Sequence, residues 1–164
     1  MSENTGRASH ERAIDVVRGY AHHDGIAVRE ALAGLEADGW TEVHVVLNGL
    51  LHSTLGIMEL TGAQGKLGQL VRYADEAAAA APLHYEFALG EATRAWALGA
   101  TSALRTFAGR DVPETVHMTG VLIAAPGLAL WGKPGFLDVV ERLQESVTAL
   151  LVNDRPSGTP HRRP

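Results

Sequence analysis

The amino-acid sequence predicts an all-α fold, a single-domain bundle of six or seven helices. Apolar residues recur at intervals of three and four along nearly the whole chain, as expected when each helix buries one stripe. Neither an internal repeat nor a linker rich in Pro, Ser and Gly divides the chain. We therefore expect a helical domain over residues 9–152, with a flexible N-terminus at residues 1–8 and a disordered basic tail at residues 153–164.

The first three helices are predicted from capping residues and apolar spacing. Ser9 is suited to cap a first helix, which ends near Gly25. A second, shorter helix follows and closes at Gly39. Thr41 then opens a third helix over residues 42–60, which is apolar on more than one face. Helices that are hydrophobic on several sides are usually buried, so we expect this one at the centre of the bundle.

Proline and glycine set the limits of the next two helices. Residues 66–81 predict a fourth helix, which ends in five consecutive alanines before Pro82. Pro82 is suited to the first turn of a fifth helix over residues 83–107, because the first turn needs no amide donor from that residue. Gly99 favours a break within this fifth helix.

The last third of the chain predicts two further helices. Asp111 is suited to cap a sixth helix, which we expect to be interrupted at Pro126 because proline lacks an amide donor. A last helix begins at residues 133–135 and ends near residue 152. In the alternative, residues 116–131 pair into a β-hairpin, since Val-Leu-Ile is compatible with a strand and Pro-Gly with a turn. The fold would then be α+β.

Composition excludes several classes of function. The chain has 164 residues and no Cys, so disulfides, thiolate metal sites and Cys nucleophiles are excluded. Its formal net charge of -5 disfavours a general phosphate-binding surface, so we expect no nucleic-acid partner. The tail carries three Arg and one Asp, which suits either contact with an acidic partner or simple solvation.

The sequence also indicates where the protein works. Its N-terminal residues lack the apolar stretch of a secretory signal. The uncharged run at residues 116–132 contains His117 and falls short of the ~20 residues that span a membrane. We therefore expect a cytoplasmic protein without membrane contact. Basic residues are mostly Arg, and Ala and Gly are abundant, which is typical of a high-GC bacterium.

Sequence motifs of common enzymes and DNA-binding proteins are missing. Gly62 to Lys66 resembles part of a phosphate-binding loop, but Leu67 stands where that loop needs Ser or Thr. The G-x-S-x-G and G-x-G-x-x-G patterns do not occur. A helix-turn-helix that uses residues 41–60 to read DNA is disfavoured, because this segment has no Lys or Arg.

The most informative polar pattern is a stripe of His44, Asn48 and His52 on one face of the third predicted helix. Buried imidazole and amide groups need hydrogen-bond partners, because an unsatisfied group costs about 1 to 3 kcal/mol. Three interpretations follow: an internal polar network, a polar seam in a dimer interface, and the lining of a ligand pocket. Such a pocket would lie between helix 42–60 and the helices over residues 83–107 and 113–131. Its candidate ligand-binding residues are His44, Asn48, His52, His84, Glu91, Trp96 and His117.

A metal site is less favoured than these interpretations. Di-iron bundles use Glu-x-x-His on two helices, and the chain has one instance, Glu114 and His117. If a metal is bound, the candidate ligands are His44, His52, His84, Glu114 and His117. The sequence predicts no cofactor.

Function is predicted only in outline. The segments 43–58 and 116–131 are more apolar than a small bundle needs, which favours self-association. We expect a non-catalytic interaction or regulatory module that forms a homodimer. The alternative is a small-molecule-binding bundle or an enzyme that uses the same polar residues. A closed core around His52 favours the module, whereas a cavity that reaches His44, His52 and His84 favours the alternative.

Overall fold

A computed structural model describes residues 2–61, 67–97 and 111–153 of the chain. The predicted all-α class is confirmed, and these ranges contain no strand, so the hairpin alternative at 116–131 is wrong. The described helices are α1 (Ser2–Ala21), α2 (Gly25–Leu32), α3 (Ala37–Thr61), α4 (Leu67–Ala78), α5 (Leu83–Ala97) and α6 (Val112–Asn153). The tail from residue 154 and the second part of the predicted fifth helix, residues 98–107, lie outside the described residues.

Helix α6, and not α3, lies at the centre of the bundle. It contacts α1, α3, α4 and α5, and every residue from 116 to 129 is buried. In the most apolar stretch of α6 78% of the residues are buried, against 17% in α3. The expectation of a central α3 was therefore wrong, because hydrophobicity on several faces does not tell which other helices cover them. The run 116–131 is intramolecular core and not a surface for self-association.

The start of α1 differs from the prediction, whereas its buried stripe agrees with it. The helix begins at Ser2, so residues 2–8, expected to be flexible, form its first turns. Ser9, predicted as the cap, is buried inside the helix and its hydroxyl donates to Glu42 Oε2 at 2.5 Å. The buried stripe of α1 has the predicted spacing: it includes Ala13, Val16, Val17 and Tyr20.

Helix α2 ends earlier than predicted, and α3 begins earlier. The carboxylate of Asp24 caps α2 and accepts hydrogen bonds from the amides of Ile26 and Ala27. Helix α2 ends at Leu32, and the turn after it places Gly34 at a φ of +69°. Gly39, predicted to close α2, lies within α3, which begins at Ala37.

Helix α6 is interrupted at Gly132 and not at Pro126. Pro126 removes only one amide donor, and the helix continues through it. Gly132 has a φ of +68° and a ψ of 170°, a conformation that side chains disfavour and that reverses the chain direction. The second part then folds back along the first: the Phe136 ring lies so close to Gly127 that a Cβ at this position would overlap the ring.

Candidate functional site

The predicted ligand-binding residues lie in different environments, some exposed and others buried. Asn48 and His52 are exposed on α3, whereas His117 is buried in α6. Glu91 is exposed on α5 and forms an ion pair with Arg94. Of the others, His44 and Trp96 are half-buried and His84 is exposed. Across the described ranges, no three His, Cys, Asp or Glu residues lie close enough to hold a metal ion, so the candidate ligands form no metal centre there.

His117 forms a buried polar pair with Tyr20. The Tyr20 hydroxyl lies 2.6 Å from His117 Nδ1, and the two residues are 0% and 4% exposed. Burial raises the pKa of the Tyr20 phenol above its usual value. Burial, helped by the nearby His84 and opposed by the carboxylate of Asp111, lowers the pKa of His117 to about 4. Both groups are therefore neutral at pH 7, and each satisfies the other's need for a hydrogen bond.

Aromatic side chains from three other helices surround this imidazole. The Tyr20 ring meets it edge-on at 6.2 Å between centroids, Trp40 of α3 lies at 6.3 Å, and Tyr85 of α5 at 5.5 Å. Burial raises the pKa of Tyr85. The negative charges of Asp111 and Glu114 and a hydrogen bond between Tyr85 and Asp111 raise this pKa as well. We call Tyr20, Trp40, Tyr85 and His117 the His117 cluster; it joins α1, α3, α5 and α6.

The His117 cluster is suited to packing the four helices together and not to acid catalysis. An imidazole with a pKa near 4 is unprotonated at neutral pH, so it is a poor general acid there. Of the cluster's four members, only His117 was among the candidate residues predicted from the sequence. No sequence spacing could have found the cluster, because Tyr20 and His117 are 97 residues apart.

The solvent-facing stripe of α3 is the second feature of note. We call it the α3 face; its members recur at intervals of three and four and are Val45, Asn48, Gly49, His52, Ser53, Gly56, Ile57 and Leu60. Val45 is 65% exposed and Leu60 89%. From residue 43 to residue 58 the helix has no charged side chain. This is unusual, because a surface helix normally carries charged residues on its outer side.

Polar side chains on and beside the α3 face are bonded to their own helix. His52 Nδ1 lies 2.8 Å from the carbonyl oxygen of Asn48, the Ser53 hydroxyl donates to that of Gly49 at 3.1 Å, and the Thr54 hydroxyl to that of Leu50 at 2.9 Å. The predicted stripe therefore exists but is not an internal network. Of its three members, His52 is bonded one turn back along α3.

Two described helices are long and apolar enough to cross a membrane by length and composition alone, within Ala37–Leu60 and Val112–Glu145. The core helix of a soluble protein passes the same test, and the burial of α6 fits that case. Helix α3 differs because most of its apolar stretch is uncovered.

A groove of about 390 Å³ between α4 and α5 is the third feature. We call it the α4–α5 groove. Leu83 and Phe87, one turn apart on α5, line it and are 86% and 80% exposed. Its charged lining consists of Asp75, Glu86, Glu91 and Arg94, a formal charge of -2. The Arg94 guanidinium is held by Asp75 and Glu91, each at 2.9 Å, and hydrogen bonding to Asp75 raises its pKa.

Comparison with known proteins gives no guide to function: the chain matches no protein-family model, no curated protein and no solved structure.

Proposed function

We propose that this chain is a non-catalytic interaction module that acts as a homodimer in the bacterial cytoplasm, with the α3 face as its self-association surface. The observation that carries the proposal is the run of sixteen uncharged residues, 43–58, on a helix whose outer side faces solvent. Such a run is about 24 Å long, which suits packing against an equivalent helix. A second copy presents the same surface, so the contact would be symmetric.

Two glycines on the α3 face support close packing of a second helix. A Cβ added at Gly49 or at Gly56 would meet no atom within 4 Å of it, so neither glycine is required by the fold of the single chain. Glycine inside a helix costs about 1 kcal/mol relative to alanine. Absence of a side chain allows another backbone to approach, which offsets that cost when a partner is present.

Hydrogen bonds within α3 lower the free-energy cost of burying polar side chains on the α3 face. The polar atoms that bond to the carbonyls of Asn48, Gly49 and Leu50 keep their partners when water is removed. Burial of a polar group without a partner would cost about 1 to 3 kcal/mol. This cost is avoided for these three hydrogen bonds.

Charge favours a second copy over the other surfaces that an apolar helix can meet. Residues 41–60 contain no Lys or Arg, and Asp38, Glu42 and Glu59 lie at the ends of the stripe. Helices that bind anionic membranes carry basic residues on their polar side, and nucleic-acid surfaces need them as well. The α3 face has no basic residues for either kind of surface.

Sedimentation velocity over a range of protein concentrations tests the proposal. We expect the wild-type chain to sediment with twice its chain mass of 17.4 kDa. Ser53→Arg introduces a charge at the middle of the α3 face and should give a folded monomer. Gln69→Arg adds the same charge to an exposed position of α4 and should leave the dimer intact. Far-UV circular dichroism verifies that both variants fold.

Three results would overturn the proposal. One is a wild-type monomer at every concentration, and another is a Ser53→Arg variant that stays dimeric. The third is a wild-type monomer that binds vesicles of neutral phosphatidylcholine and loses this binding in Ser53→Arg, because the α3 face would then be a lipid-binding surface.

A further inference from the structure

The α4–α5 groove combines two kinds of surface. Leu83 and Phe87 form an exposed apolar pair, and contiguous exposed apolar side chains in a groove often mark an interaction site. Carboxylates of Asp75, Glu86 and Glu91 stand around this pair. Within the described residues Glu86 has no ion-pair partner, whereas the other two share Arg94. A ligand for this groove would therefore combine rings or other apolar groups with positive charge.

Residues 154–164 of the same chain have that combination. Their sequence is Asp-Arg-Pro-Ser-Gly-Thr-Pro-His-Arg-Arg-Pro, with three prolines, three arginines and one aspartate, a formal charge of +2. Proline-containing segments bind grooves lined by aromatic side chains, where the proline ring packs on the aromatic ring. Arginine binds carboxylates through two parallel hydrogen bonds. The segment is thus complementary to the groove in both respects.

The course of α6 places its last residue, Asn153, towards the end of the bundle at which α1 ends. His117, near the start of α6, lies beside Tyr20, and Phe136 lies back against Gly127 after the turn at Gly132. Gln144 then lies beside Arg18, which donates to its side chain at 2.9 Å. The second part of α6 therefore runs in the same direction as α1. It continues for nine residues to Asn153, about 13 Å further along the axis.

The start of α5 lies at this same end. Tyr85 of α5 packs on His117, beside the last turn of α1, and Leu83 and Phe87 lie within one turn of it on the opposite side of α5. The end of α4 also meets the start of α2, because a Cβ added to Gly25 would lie 2.7 Å from the carbonyl oxygen of Ala80. Eleven extended residues reach about 36 Å, more than the width of a small bundle.

We propose that residues 154–164 dock in the α4–α5 groove of their own chain, with proline rings against Leu83 and Phe87 and the arginines 162 and 163 against Glu86 and Asp75. The groove is then a recognition site for proline- and arginine-containing segments that the chain's own tail occupies. Another protein with such a segment would have to displace the tail. The inference does not depend on the α3 face.

A spin label tests this contact in the full-length chain. The protein has no Cys, so Ser157→Cys gives a single attachment point for a nitroxide. We expect the label to remove most of the amide signal intensity of Leu83, Phe87 and Gly90 in a 15N spectrum at low salt. The intensity should return in a Phe87→Ser variant, and in about 0.5 M NaCl because salt screens the charge contacts. Phe87 is 80% exposed, so its substitution should leave the fold intact.

A matched control places the label at Gly6→Cys, near the opposite end of α1, where it should leave these three amides unaffected. Intensities that the label at position 157 does not reduce, or that Phe87→Ser does not restore, would overturn the proposal. So would broadening that appears only when labelled chains are mixed with separate 15N chains, because the tail would then bind a second copy. The measurement is repeated in Ser53→Arg, so that failure of the dimer proposal does not affect the result.

Discussion

Protonation of His117 should destabilise this protein as the pH falls below about 6.5. The imidazole is 4% exposed and its pKa in the folded chain is about 4. In the unfolded chain the pKa returns to about 6.5, so between these two values the unfolded state binds more protons. The free energy of unfolding therefore rises with pH through this window. The stabilisation is complete above about pH 6.5 and is lost as the pH falls towards 4.

The size of the effect follows from the two pKa values. The pKa of the unfolded chain exceeds that of the folded chain by about 2.5 units, so full protonation of His117 lowers the free energy of unfolding by roughly 3 kcal/mol. Between pH 8 and pH 5 the loss is about 2 kcal/mol. Two neighbouring side chains also affect the pKa of His117: His84 lowers it further, and Asp111 raises it. Burial is the largest cause, so His84→Gln should change the pH dependence less than a substitution at His117.

Urea unfolding followed by circular dichroism measures this contribution. Wild type and His117→Gln are compared at pH 8 and pH 5, at one protein concentration because self-association would add to stability. The variant keeps a side chain that can bond to Tyr20 but cannot titrate, so it should lose about 2 kcal/mol less on acidification. His52→Gln removes an exposed histidine and should behave like wild type. Equal losses in wild type and His117→Gln would refute the reasoning.

Four further substitutions test the packing by urea unfolding. Tyr20→Phe removes the hydroxyl that pairs with the buried imidazole and should lower the free energy of unfolding by about 1 to 3 kcal/mol. An unchanged free energy of unfolding would contradict this prediction. Gly127→Ala would place a Cβ in the space of the buried Phe136 ring and should lower the free energy of unfolding by about 1 to 3 kcal/mol. Gly90→Ala is the matched control: its Cβ meets open space, so it should raise the free energy of unfolding by about 1 kcal/mol. Equal effects of the two substitutions would contradict the packing. Asp24→Ala removes the cap of α2 and should cost about 1 kcal/mol, while an unchanged midpoint would show that the cap contributes little.

Local features of the fold could be predicted from the sequence because they depend on neighbouring residues. Apolar spacing predicted that each helix buries one stripe, and in α1 this stripe includes Val16 and Tyr20. The cap at Asp111 is also confirmed, since its carboxylate accepts from the amide of Glu114 at 2.8 Å. Both features are set within one or two turns of helix, a range over which side-chain type largely determines structure.

Features that depend on distant contacts could not be predicted in this way. Proline at position 126 was predicted as the break in the last third of the chain, yet the helix continues through it and Gly132 makes the turn. Apolar composition alone does not distinguish a helix that its own chain covers from one that it leaves open. The pairing of His117 with Tyr20 depends on how α1 and α6 lie together, which no local pattern records.

The contrast between α3 and the neighbouring surface helices supports an interaction role. The exposed sides of α4 and α5 carry ion pairs, such as Arg72 with Glu76 and Arg94 with Asp75, and these suit permanent contact with water. The outer side of α3 has no such pairs between residues 43 and 58, and its hydroxyls bond to its own backbone. These are the properties expected of a surface that a second copy covers, as proposed.

The central position of α6 separates the two surfaces proposed to bind. It contacts α3 through one part of its circumference and α4 and α5 through others, so the α3 face and the α4–α5 groove belong to different helices around a common core. Pairing through α3 would then leave both grooves of a dimer accessible. Because the groove is acidic and the α3 face uncharged, salt should weaken binding at the groove and leave self-association largely unchanged. That difference allows the two interactions to be measured separately in the same wild-type protein.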